Sequence, residues 1–275
     1  MKKDFKMIEL LIGILLVLFV FSAMYFFNNK PNIINNDDEE IIEEDPTVDF
    51  SKVESISGKY YYEDEHFTSM FGIDVSEFQK EIDWDKVSND SVEFAYIRMG
   101  RRGATTGELY IDDRFEENYK GAKDNGIKVG VYFFSQALDE KEAREEAQFV
   151  IENIKDKELD LPVVYDCEEV FLEEGLVPRI VLLSKTEITT NAIAFMEEMK
   201  KNDYDVMAYT YPYWLQNFYD LARLADYKIW FAQYDFGYPE IDHFVDIWQY
   251  SKNGTINGIE GDVDLDIMFI EKEND

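Results

Sequence analysis

The sequence predicts an α/β fold class, an irregular TIM-like (β/α) barrel with its site at the C-terminal ends of the strands, preceded by one N-terminal transmembrane helix. Three observations predict it. Eight short apolar runs recur between Phe71 and Ile270. Amphipathic stretches of helical period separate several of them, as in Asp113–Asn125, Asp139–Lys155 and Lys185–Lys201, and such alternation is the pattern of a sheet covered by helices. Ahead of all these stands a 21-residue apolar run, Met7–Phe27.

In chain order, residues 1–6 form a short tail with Lys2, Lys3 and Lys6. Residues 7–27 are apolar on every face and broken only by Glu9. A bilayer core of about 30 Å needs roughly 20 helical residues, so this run is long enough to span it. The preceding lysines put the N-terminus in the cytoplasm and everything after Phe27 outside, as a single-pass protein of the cell membrane. A cleaved signal peptide is the competing reading, although no A-x-A site follows the run. Residues 28–66 are expected to be an acidic extracytoplasmic linker. Within it, Asp37–Asp49 holds eight acids and no base, a composition that repels itself and stays extended. Residues 67–275 are the predicted barrel domain, expected to be monomeric.

The eight predicted strands are FGIDVS (Phe71–Ser76), VEFAYIRMG (Val92–Gly100), IKVGVYFFS (Ile127–Ser135), LPVVYDCE (Leu161–Glu168), DVMAYT (Asp205–Thr210), KIWFAQY (Lys228–Tyr234), DIWQYS (Asp246–Ser251) and DLDIMFI (Asp264–Ile270). A parallel barrel accounts for them. An open doubly wound sheet is the alternative, but no Gly-rich phosphate fingerprint follows any strand.

Composition removes several function classes. The formal net charge is −32, from 59 acids against 27 bases, which opposes nucleic-acid binding because phosphates need clustered Lys and Arg. A single cysteine, Cys167, excludes an internal disulfide framework and a cysteine-rich zinc site. His66 and His243 lie far apart and make no His-based metal pair. Neither a cofactor nor a resident metal is expected.

Polar residues end five of the predicted strands: Asp74 and Ser76, Arg98, Ser135 and Gln136, Asp166 and Glu168, and Gln233. Residues i and i+2 of a strand share a face, so Asp166 and Glu168 point together into the barrel mouth while Cys167 points away. Asp74 ends the first strand, and Asp262, Asp264 and Asp266 lie at the last, which closes beside it. Carboxylates gathered at one mouth repel one another and keep at least one acid protonated near neutrality, as glycosidic cleavage requires. A divalent-cation site remains the rival on geometry alone.

The same residues resemble a known family. FGIDVSEFQKEIDW (Phe71–Trp84) resembles the DVSxxQ…IDW opening of the family 25 glycoside hydrolases, the N-acetylmuramidases called Chalaropsis-type lysozymes. FAYIRMGRRG (Phe94–Gly103), the segment Asp112–Ala137, LPVVYDCE, IWFAQY (Ile229–Tyr234) and IWQYSKNGTINGIEGDVDLD (Ile247–Asp266) are similar to its later segments, in order, to the end of the chain. The resemblance implies a peptidoglycan hydrolase that cleaves between N-acetylmuramic acid and N-acetylglucosamine with net retention, its partner being the glycan strands of the wall. It implies Glu168 as general acid, Asp166 as its neighbour flanking the scissile sugar, and Asp74 and Asp264 as the other two acids. Tyr132, Gln233 and Trp248 match positions that line the sugar groove, and Tyr211 and Trp214 join them; core packing is an equal reading of each aromatic. The chain departs from the pattern at Tyr132–Ser135, YFFS where many members carry YHF, at Asp266 where many carry Asn, and in the extra charge of Glu169. A non-catalytic, membrane-anchored scaffold that binds wall glycan and a metal-dependent hydrolase are the alternatives.

Overall fold

A computed structural model describes residues 46–273. A separate two-stranded hairpin comes first, β1 (Glu54–Ile56) and β2 (Lys59–Tyr61), turned by Ser57 and Gly58, both at positive φ (55° and 82°). Two successive positive φ values make the tight turn whose twist suits a two-residue hairpin. The large sheet follows with β3 (Phe67–Val75), β4 (Phe94–Arg102), β5 (Leu109–Ile111), β6 (Lys128–Phe134), β7 (Val163–Asp166), β8 (Val206–Thr210), β9 (Lys228–Ala232), β10 (Ile247–Gly254) and β11 (Val263–Glu271). Its order is β3-β11-β10-β9-β8-β7-β6-β4-β5, and a further β3–β4 pairing closes eight strands into a barrel. Among the described residues five α-helices flank it: α1 (Trp84–Asn89), α2 (Phe115–Asp124), α3 (Glu140–Ile154), α4 (Lys185–Lys200) and α5 (Pro212–Asn217). All eight predicted strands and the three predicted helices are present.

One expectation needs correction. The barrel is not wholly parallel, because β11 runs antiparallel to both β10 and β3. The reason is length: only residues 255–262 join β10 to β11, too few for a parallel crossover, which needs a dozen or more. The reversal matters for the site. It brings the start of β11, where Asp264 stands, to the mouth formed by the ends of the other strands.

Alternation along the strands separates two apolar layers. Phe94, Tyr96, Val164, Met207, Tyr209, Trp230, Ile247 and Met268 fill the barrel, while their odd-register neighbours pack outward against the helices. Inside, Gly72 leaves room for Phe94, since a Cβ there would stand 2.3 Å from its ring.

The expected linker, 28–66, also needs correction at its C-terminal part, because the packed unit begins at Pro46 rather than at 67. Phe50 and Tyr60 pack on Trp248, with ring centroids 6.2 and 5.5 Å away, and Tyr60 stacks on Tyr250 at 4.0 Å. Asp49 N–H donates to the Tyr62 hydroxyl at 3.0 Å, and that hydroxyl donates to Asp64 at 2.6 Å. Trp248 is fully buried under this hairpin. Trp248→Ala is therefore expected to cost about 3–5 kcal/mol of stability, read as a lower denaturation midpoint at unchanged slope. The tail 1–6, the apolar run 7–27 and the linker to 45 lie outside the described residues. Among those described, no helix is long and apolar enough to cross a membrane.

Candidate active site

The loop that follows β3 shows why its residues have their spacing. The Ser76 N–H donates to Gln79 Oε1 at 2.9 Å and the Phe78 N–H to Ser76 Oγ at 3.3 Å, a capping box spanning three residues. Glu77 N–H donates to Asp112 at 3.0 Å, and Arg98 from β4 ties both acids, donating to Asp112 and to Glu77 at 2.8 Å each. The turn after Asp74 is thereby fastened to the neighbouring strand, and Asp74 is left facing inward.

Asp74, Asp166, Glu168 and Asp264 line one pocket of about 350 Å³ at the mouth, together with Tyr132, Tyr209, Trp230, Tyr234 and Gln249. Asp264 stands directly opposite Asp74 in the β11–β3 register, an arrangement that repulsion disfavours unless one of the pair carries a proton. Gln249 is fixed by its neighbours. Tyr209 and Tyr234 hydroxyls donate to its Oε1 at 3.2 and 2.5 Å, so its amide nitrogen is directed to Asp74 Oδ2 at 2.6 Å. Trp230 forms the floor, its indole N–H donating to the buried Asp266 at 2.8 Å and its ring tilted against Tyr96 with centroids 4.8 Å apart.

Burial governs the acid–base state. It pushes the Asp166 carboxyl well above its ordinary range, the Glu168 charge adds to this, and Arg98 opposes it. Burial raises Glu168 to about 7, with Asp264 contributing in the same direction. The two carboxyls stand close enough to titrate as a pair rather than singly. Asp264 is raised to about 6, mainly by burial, with Lys252 pulling it down. Asp74 is raised by burial and then by Asp264 and Asp266. Asp166 is almost wholly buried, Glu168 only partly so; Glu168 is the member of the pair that reaches the open pocket. Among the described residues Asp166 Oδ1 has no hydrogen-bond partner. Cys167 faces away into the outer core, where burial pushes its thiol up and makes it a poor nucleophile.

The four predicted acids and Tyr132 therefore meet in one pocket. Gln233, Trp248, Tyr211 and Trp214, predicted to line the groove, do not line it. Gln233 belongs to the outward register and clamps the loop after β9, accepting from Glu240 N–H at 2.7 Å. Trp248 is the outward neighbour of Gln249, covered by the N-terminal hairpin. Trp214 is buried against Phe218, centroids 4.2 Å apart, and Tyr211 stacks on Trp214 at the rim, where burial and then the Glu168 charge raise its hydroxyl. Tyr209, Trp230, Tyr234 and Gln249 were missed. Period-two alternation finds three of them, since Trp230 and Tyr234 share a face and Gln249 lies between two outward aromatics. Among the described residues no group of three or more His, Cys, Asp or Glu side chains is arranged to hold a metal ion.

The chain is similar to known proteins in sequence and in fold. The family model "Glycosyl hydrolases family 25" matches residues 73–259. The autolytic lysozyme of Clostridium acetobutylicum is 32% identical over 200 residues, 72% of this chain and 55% of that protein. Lysozyme M1 of Streptomyces globisporus is 31% identical over 202 residues, 70% of this chain and 65% of its own. The chain thus spans little more than half to two thirds of the length of these relatives. Among solved structures, the modular autolysin LytC of Streptococcus pneumoniae superposes with a TM-score of 0.66 at 26% identity, covering 78% of this chain and 51% of that one.

Proposed function

The chain belongs to glycosyl hydrolases family 25, and from that membership we propose that it is a peptidoglycan muramidase, cleaving the β-1,4 bond between N-acetylmuramic acid and N-acetylglucosamine. The observation that carries this reading is the coupled pair Asp166 and Glu168, raised by burial at the end of β7 in a pocket shared with Asp74 and Asp264. Glu168, on the open side, protonates the glycosidic oxygen as the bond breaks. The unpartnered Oδ1 of Asp166 is an acceptor suited to the N–H of a sugar acetamido group, and so orients that sugar. Asp74, directed by Gln249, and Asp264 stabilise the positive charge that develops at the anomeric carbon. The course is net-retaining: a covalent or acetamido-derived intermediate forms on one face and water opens it from the other.

Sequence supports a location for this activity. The apolar run 7–27 preceded by Lys2, Lys3 and Lys6 serves as an uncleaved anchor, and the acidic stretch after it holds the barrel toward the wall.

The raised acids give a pH dependence. Activity needs Glu168 protonated and an ionised partner, so kcat/KM against soluble glycan fragments is expected to fall above about 7, where Glu168 loses its proton, and below about 6, where Asp264 gains one. The limbs belong to the coupled cluster as a whole. Muropeptide release from purified walls in the presence of EDTA tests the reading. Release supports it; no release with retained glycan binding favours the scaffold alternative, and release lost to EDTA and restored by a divalent ion favours the metal-dependent one.

A further inference from the structure

In a chain of formal net charge −32, the acid-lined pocket carries two cations, Arg98 and Lys252. Arg98 is committed to Glu77 and Asp112. Lys252 forms no ion pair or hydrogen bond among the described residues; its ammonium stands 5.6 Å from the ring centroid of Tyr234, itself part of the pocket wall.

The inward direction of Lys252 is the product of a bulge. Ile247 and Gln249 of β10 face the barrel interior, so unbroken alternation would aim Ser251 inward and Lys252 outward. The pairing with β11 slips instead. Gln249 faces Asp266, but Ser251 faces Leu265, where regular pairing would give Asp264. One extra residue on β10 exchanges the two faces. Ser251 takes the outward register of Leu265, which packs in the outer core, and Lys252, the next residue, lines the pocket together with Asp264. A long cation turned into a site by a local irregularity, and left without a protein carboxylate to bind, is placed to meet an anion that arrives with the substrate.

Resting on the muramidase reading, we infer that Lys252 is a specificity residue that binds a substrate carboxylate. The anion belongs to the muramic-acid side of the cleaved bond, because N-acetylglucosamine carries none. Two sources share this chemistry: the lactyl carboxylate of a peptide-free muramic acid, and a free carboxylate on the peptide attached there.

Matched glycan fragments test the inference and separate the sources. One pair is peptide-stripped, with the lactyl carboxylate free or converted to its methylamide. The other bears peptides whose glutamyl carboxylate is free or amidated. The wild-type protein is expected to prefer the free carboxylate of one pair by about tenfold in kcat/KM, carried mainly by KM, as one charge-assisted hydrogen bond allows. Lys252→Met is expected to bring that ratio to about one, and Lys252→Arg to keep most of it. The pair showing the preference identifies the source. Ratios near one in both pairs for the wild type, or a ratio that survives Lys252→Met, overturn the inference alone. If Lys252 served only to offset Asp264, the variant would lower kcat/KM equally within each pair, which also overturns it. Absence of any cleavage by the wild type overturns the muramidase reading and the inference with it.

Discussion

Glu168→Gln is expected to lower kcat on peptidoglycan by about 10³–10⁴-fold, abolishing visible clearing of walls, because the amide cannot deliver a proton to the leaving oxygen. The same substitution is expected to stabilise the fold above neutrality. Burial holds the Glu168 carboxyl at about 7, above its ordinary 4.5, so the folded state binds this proton more tightly than the unfolded state. The stability this group contributes is fully present below about 4.5 and is lost as pH rises through about 7. Glutamine has no such loss, so at pH 8 the variant should be more stable by about 1–3 kcal/mol, with the gain vanishing near pH 4. Wall clearing by the variant at a near wild-type rate would remove Glu168 from the mechanism. Inactivity with a collapsed denaturation midpoint would instead mark the residue as structural.

Asp166→Asn is expected to have the second largest effect, a loss of about 10²–10³-fold in kcat with KM changed far less. Asparagine keeps the shape and still offers an oxygen, but it removes the carboxyl that titrates together with Glu168 at the end of β7. The carboxyl lies almost wholly buried with one oxygen lacking a partner, so its neutral replacement should not unfold the protein. Activity within a few-fold of wild type would show that Asp166 only fills space.

The barrel was legible because its eight strands are nearly all apolar, a pattern that two-sided burial forces on them, and five of them end in polar residues. The reversal of β11 was not legible, because the predicted strands leave residues 252–263 between them, and only the observed extension of both strands shortens the connection to 255–262. Nor was the N-terminal hairpin. Its two strands have three residues each, with no buried residue in either, and it follows the acid-rich stretch before Pro46. The hairpin is held by Phe50, Tyr60 and Tyr62 on aromatics far along the chain, contacts that no local period reveals.

The site divides along the same line. Asp74, Asp166 and Glu168 follow from strand ends and parity and Tyr132 from the family resemblance, and the structure places all four in one pocket. Gln233 and Trp248 fail by parity: each is one residue from an inward neighbour, Tyr234 and Gln249, that does line the pocket. Lys252 defeats parity altogether, since a bulge at Ser251 reverses it, and bulges leave little signature in sequence.

The most direct measurement of the central claim is the identity of the new reducing ends after digestion of defined peptidoglycan, determined by reduction and mass spectrometry. Hydrolysis on the muramic-acid side predicts reduced N-acetylmuramic acid at the ends of the products, and none when Glu168→Gln replaces the wild type. Reduced N-acetylglucosamine at those ends, or products that arise equally with Glu168→Gln, would contradict the account.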